Sequence, residues 1–163
     1  MRQRRHDQRF LVWTDRTIAC VEYLVALPTT DAGHVGLLGF SQGGYLAIAV
    51  AAGSTKVRAV VEVYGGVPSL HSMPISRLPP LLVLHGEADK NEPVQRAYDV
   101  TALAQSVGAH VVLKIYTGAP HGFDGEPLNS ANAVDARRRT VEFLSSHLGS
   151  ARNKVRQAKD IWQ

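Results

Sequence analysis

An apolar run that ends in Gly-x-Ser-x-Gly and passes straight into a row of small residues leaves a chain few ways to fold. Here the run is Val35-Gly36-Leu37-Leu38, the motif is Gly39-Phe40-Ser41-Gln42-Gly43, and Gly44 to Ala52 supplies the small residues. The pattern reads as a buried strand, a sharp turn and a helix. Glycines flanking the turn let the backbones of strand and helix come close enough for it to close. Such a turn lifts the serine hydroxyl clear of the carboxyl end of a sheet, where open α/β folds bind ligands. An ordinary strand-to-helix loop with a solvated serine has the same five letters, so the rest of the chain has to decide between the two.

The segments on either side continue the alternation. From about Gln8 to Leu27, Phe10, Trp13, Val21 and Leu24, with Thr17 between them, recur at helical spacing, and Cys20 within this pattern reads as a buried structural thiol. Pro28 to Gly33 is turn chemistry. His34–Phe40 is apolar on both faces, as a central parallel strand is. The helix after Ser41 closes at Gly53, and Lys56–Val63 is a β-branched strand. Gly65-Gly66 opens a loop to about Leu78 with Pro68 and Pro74 along it; it is either one wall of a binding site or a surface crossover. Pro80–Leu84 is the third strand. Pro93 starts a helix with Val94, Ala97, Tyr98, Thr101, Ala104 and Val107 on one face, ending at Gly108. His110–Tyr116 is the fourth strand, and a last helix from about Asn129 to Leu148 turns Val134, Val141, Leu144 and Leu148 inward.

This order predicts a three-layer α/β/α domain over residues 1–150, built on about four parallel strands, with a basic tail at 151–163. A chain of 163 residues, 45% of them apolar, can bury a core without staples. Its one cysteine excludes an internal disulfide and fits a cytoplasmic address. No apolar run approaches the roughly 20 residues of a membrane span. The net charge of +4 sits at the ends: residues 1–9 and 152–163 carry +3 each, leaving −2 between them. No aromatic-basic interleaving accompanies either end, so solvated termini are expected rather than a nucleic-acid surface. No histidine and acid spacing indicates a metal, and residues 39–44 lack the lysine of a phosphate-binding loop; neither metal nor cofactor is expected.

Parallel strands put all their carboxyl ends along one edge. Ser41, Asp89 and His121 each follow a different strand at that edge. A serine hydroxyl needs an imidazole to take its proton, and the imidazole needs a carboxylate to fix its tautomer and stabilise its cation. Singly, Asp89 reads as a turn residue and His121 as a surface imidazole. In the chain order Ser, Asp, His they form the set that nucleophilic chemistry requires. His85 is expected to shape the Asp89 turn, and His6, His34, His71, His110 and His147 to be structural or exposed.

Three stretches carry a family resemblance: Gly39-Phe40-Ser41-Gln42-Gly43-Gly44, His85-Gly86-Glu87-Ala88-Asp89 and Pro120-His121-Gly122-Phe123. From about Trp13 to Leu148 the chain resembles the dienelactone hydrolase branch of the α/β-hydrolases. The resemblance implies Ser41 as nucleophile, Asp89 as acid and His121 as base in hydrolysis of a small ester or lactone through an acyl-enzyme. The Gln42 N–H would be an oxyanion donor. Dienelactone hydrolases proper use cysteine at the nucleophile position and hold an anionic substrate with arginines. Asp124 and Glu126 follow His121 here, which argues against dienelactone itself. Family members also carry several strands before the first helix, with the loop that supplies the second oxyanion donor. The chain therefore reads as a truncated α/β-hydrolase core whose strand His34–Phe40 is either exposed or covered by a second copy. The alternative function is a catalytically weak remnant of the fold that acts through protein association.

Overall fold

The computed structural model describes residues 2–68, 74–125, 127 and 129–149. The elements are α1 (Arg2–Ala26), β1 (Val35–Phe40), α2 (Gln42–Gly53), β2 (Val57–Val63), β3 (Leu81–Gly86), α3 (Gln95–Ser106), β4 (Val111–Tyr116) and α4 (Ala131–Leu148). The four strands form one parallel sheet in the order β1-β2-β3-β4. All four carboxyl ends therefore lie along one edge, as expected. The basic tail at 151–163, His71 and Glu126 lie outside the described residues. The described parts of the 65–78 loop form neither helix nor strand.

Strand alternation divides the core in two. Val57, Val60, Leu81 and Val83 pack under α1, α2 and α3 with Val21, Ile48, Ala97, Val100 and Ala104. Ala59, Val61, Val63, Leu82 and Leu84 face α4 with Ala136 and Phe143. Helix α2 presents Ala47, Ile48, Ala49, Val50 and Ala51, all nearly or fully buried, because it is covered by the sheet on one side and α1 on the other. Arg77 closes its end, donating through Nη1 to the carbonyls of Ala51 and Ser54 at 2.9 and 3.0 Å. These carbonyls are among those a helix C-terminus leaves unsatisfied.

Several expectations from periodicity are corrected. His34–Phe40 is not the central strand its two-sided apolarity suggested: β1 is the outermost of the four, the edge position that the family resemblance implied. Its apolarity on both faces reflects the helical layers above and below, α2 and α4, and says nothing about its lateral neighbours. Beyond the reach of α4, Leu38 and Phe40 are 44% and 43% exposed. Cys20 is exposed rather than buried. Helix α1 meets α2 along a stripe containing Thr14, Ile18 and Val21, which leaves Trp13 and Leu24 largely outside. In α3 the buried face is Ala97, Val100 and Ala104, with Tyr98 exposed; in α4 it is Ala133, Ala136 and Phe143, with Val134 and Val141 exposed. Alanines recur on the buried faces of α3 and α4 because they let a helix lie close to the sheet. Among the described residues, no helix is long and apolar enough to cross a membrane.

Candidate active site

Ser41 sits between β1 and α2 at φ 51° and ψ −120°, a conformation that L-residues rarely adopt. Such strain persists only where the surroundings over-determine it, and it clusters at functional sites. Two backbone bonds hold the turn. Ser41 N–H donates to the Val63 carbonyl at 2.8 Å, and the Ser41 carbonyl accepts from Gly44 N–H at 2.8 Å. Gly39 is required by space, since a Cβ there would fall on the carbonyl group of Gly43. Gly43 is not, because a Cβ there meets nothing within 4 Å. The two glycines of the motif thus do different work.

The turns after β3 and β4 are stitched together. Glu87 N–H donates to the Tyr116 carbonyl at 2.9 Å and Ala88 N–H to that of Ala119 at 3.0 Å. Gly118 N–H donates to Glu87 Oε2 at 3.1 Å. A Cβ on Gly86 would run into the Ala119 carbonyl, which explains the glycine in His85-Gly86-Glu87. This seam brings Asp89 beside His121. The Asp89 side chain is fully buried, and its Oδ1 accepts from the N–H groups of Asn91 and Glu92, both at 2.8 Å. Oδ2 is left for His121 Nδ1 at 2.7 Å, and His121 Nε2 lies 3.0 Å from Ser41 Oγ. A carboxylate only accepts, so Nδ1 carries the proton and Nε2 is free to receive the serine hydroxyl. The three residues singled out from the sequence are thus a continuous hydrogen-bonded chain. Gln42 opens α2, where the first N–H groups of a helix have no intrahelical acceptor.

Two residues at the site escaped the sequence reading. Tyr64, directly after β2, is a second non-glycine residue at positive φ (41°), and its ring lies 4.6 Å from the His121 ring. Its hydroxyl donates to Asp124 Oδ1 at 2.7 Å. Burial and that carboxylate both push the phenol up, so it remains a donor. Glu62 is the other: a fully buried acid inside a valine-rich strand, whose apolar pattern gave no sign of it. His85 is buried as well, with Nε2 donating to the Glu92 carbonyl at 2.8 Å, in keeping with a role in shaping the Asp89 turn. His34 pairs with Asp31 at the surface. Among the described residues no group of His, Cys, Asp and Glu could hold a metal ion.

Parallel strands, a strained serine after β1 and an acid and a histidine after β3 and β4 are the architecture of the α/β-hydrolase fold. Similar solved structures support that class. A putative dienelactone hydrolase from Klebsiella pneumoniae matches with a TM-score of 0.69 and 22% identity, covering 81% of this chain and 61% of that one. A dienelactone hydrolase-like promiscuous phosphotriesterase from metagenomic libraries matches with a TM-score of 0.72 and 22% identity, covering 84% and 62%. Residues 1–148 match the dienelactone hydrolase family, and the chain belongs to that family. A carboxymethylenebutenolidase homolog of Mus musculus is 27% identical over 127 residues, 72% of this chain and 50% of that protein. The chain thus spans about half the length of the curated relatives it matches.

Proposed function

We propose that the chain is a serine hydrolase that cleaves a small carboxylic ester or lactone through an acyl-enzyme. The observation that carries this reading is the unbroken line from Ser41 Oγ through His121 to the saturated Asp89 carboxylate. His121 Nε2 takes the hydroxyl proton as Ser41 Oγ attacks the substrate carbonyl. The resulting imidazolium is stabilised by Asp89, and the tetrahedral oxyanion by the Gln42 N–H at the positive end of α2. When the intermediate collapses, His121 returns the proton to the departing alkoxide. Water then repeats the sequence on the acyl-serine, releasing the acid. Asp124, held near His121 by Tyr64, places negative charge beside the site and disfavours substrates with an anionic acyl group.

Covalent labelling with a fluorophosphonate tests the assignment. Labelling of the native chain should be lost in Ser41→Ala and reduced by at least about 10³-fold in His121→Ala. Labelling that survives Ser41→Ala refutes it.

A second reading is favoured by the exposed Leu38 and Phe40 on the outermost strand: a weakly active member of the fold that works by association, with a second copy or another protein seated on β1. Intact Ser41 labelling without turnover of short-chain p-nitrophenyl esters favours it; turnover by a monomer at all concentrations rejects it.

A further inference from the structure

One buried ionisable group has no part in the chemistry above. Glu62 pairs in register with Gly39 of β1 and Val83 of β3, and strand alternation turns its side chain, like that of Val60, towards α2. Its Oε1 accepts the Gly65 N–H, and its Oε2 has no partner among the described residues. A Cβ on Gly44 would stand 2.9 Å from Oε1; one on Gly65 would stand 2.6 Å from the same oxygen and 2.8 Å from the Ser41 carbonyl. Two glycines, one in α2 and one just past β2, therefore vacate the space that this carboxyl fills directly beneath the serine turn. A valine here would fill the strand but leave the Gly65 amide without its acceptor, so core packing alone does not account for an acid.

We propose that Glu62 is a positioning residue for Ser41, acting as a neutral carboxylic acid that fixes Gly65 and the first turn of α2, and that its ionisation disables the turn. The proposal rests on Ser41 being the nucleophile. A neutral acid fills the pocket with one acceptor on Gly65 and one proton on the other oxygen. A carboxylate there would carry unpaired charge in a fully buried site, next to the place where an oxyanion must form. Burial pushes the Glu62 carboxyl up to about 8; the Gly65 bond works against this, and the charge of Glu92 adds to it. The groups facing it are Tyr45 of α2, whose hydroxyl donates to Glu92 Oε2 at 2.6 Å, Glu92 itself, and His85 on the same face of β3. Arg96, half-exposed, lies 3.8 Å from Glu92 and pairs with it rather than with Glu62.

The test is the pH dependence of fluorophosphonate labelling at Ser41 in the native chain, Glu62→Gln and Glu62→Ala, with the melting temperature of each. Native labelling should fall about tenfold or more between about pH 7 and about pH 9.5, while that of Glu62→Gln should lack this fall. Glu62→Ala should lose about tenfold or more at neutral pH, and the glutamine should rescue most of it. Superimposable profiles for the native chain and Glu62→Gln overturn the proposal. If Glu62→Ala does not fold, the glutamine profile decides alone. Absence of labelling in the native chain would instead refute the nucleophile assignment, which keeps the two failures apart.

Discussion

The two glycines of Gly39-Phe40-Ser41-Gln42-Gly43 should respond to the same substitution with opposite signs. At Gly39 an added methyl lands on the backbone carbonyl of Gly43 and within 2.8 Å of the Gly44 nitrogen. No side chain can swing aside there; the first turn of α2 has to move against a sheet to which Ser41 is bonded. Overpacking of an interior costs about 1–3 kcal/mol even where side chains can yield, so Gly39→Ala should lose about 3 kcal/mol or more. At Gly43 the methyl enters open space in a helix, where alanine is better than glycine by about 0.5–1 kcal/mol. For a chain of this size about 1 kcal/mol moves the melting temperature by about 2–4 °C. Urea and thermal melts should therefore place Gly39→Ala about 6–12 °C below the native chain and Gly43→Ala about 2–3 °C above it. The labelling rate at Ser41 should collapse in Gly39→Ala, because the hydroxyl leaves its position over His121. A Gly39→Ala variant as stable as the native chain, or a Gly43→Ala variant destabilised by more than about 1 kcal/mol, would refute this account of the turn.

Glu62 also makes stability itself depend on pH. Its folded value of about 8 lies above the ordinary 4.5, so its own contribution to stability is fully present in acid. As pH rises the unfolded chain ionises first, withdrawing about 1.4 kcal/mol per unit until the folded group ionises, at most about 5 kcal/mol in all. Denaturant midpoints of Glu62→Gln should be flat over that window; parallel curves for the two proteins contradict the burial of a neutral acid. Asp135 behaves in the opposite sense. Burial would raise it, but bonds from Arg139, Arg138 and Tyr116 hold it down to about 2. Its contribution, about 1 kcal/mol after solvent screening, should vanish as pH falls from about 4 to about 2, and Asp135→Asn should abolish that part of the acid transition. Ser130 caps α4 by accepting from Ala133 N–H at 3.2 Å, so Ser130→Ala should cost about 1 kcal/mol in urea melts, with Ser130→Asp restoring most of it.

The four strands and the order of the helices were readable in the amino-acid pattern because each lies between unambiguous turn residues. Ser41, Asp89 and His121 were readable for a different reason: in a parallel sheet, chain order alone assigns each strand's carboxyl end to a common edge. Helical phase was harder. In α1 and α4 the eye follows Trp13, Leu24, Val134 and Val141, whereas Thr14, Ala133 and Ala136 are the residues that touch, since close approach favours small side chains. Two-sided apolarity in β1 reported the layers α2 and α4 and carried no information about what lies beside the strand in the sheet. Glu62 and Tyr64 were invisible to periodicity because their roles depend on Gly44, Gly65 and Asp124, which only folding brings to them.

The serine leaves β1 at the end of the outermost of the four strands, and among the described residues no strand fills the next lane beside it. A strand docked in that lane would run about 4.8 Å away, with its tip alongside the Ser41 hydroxyl. Were a second copy to seat there, as the association reading proposes, labelling at Ser41 should change with protein concentration. A dilution series belongs beside each labelling experiment.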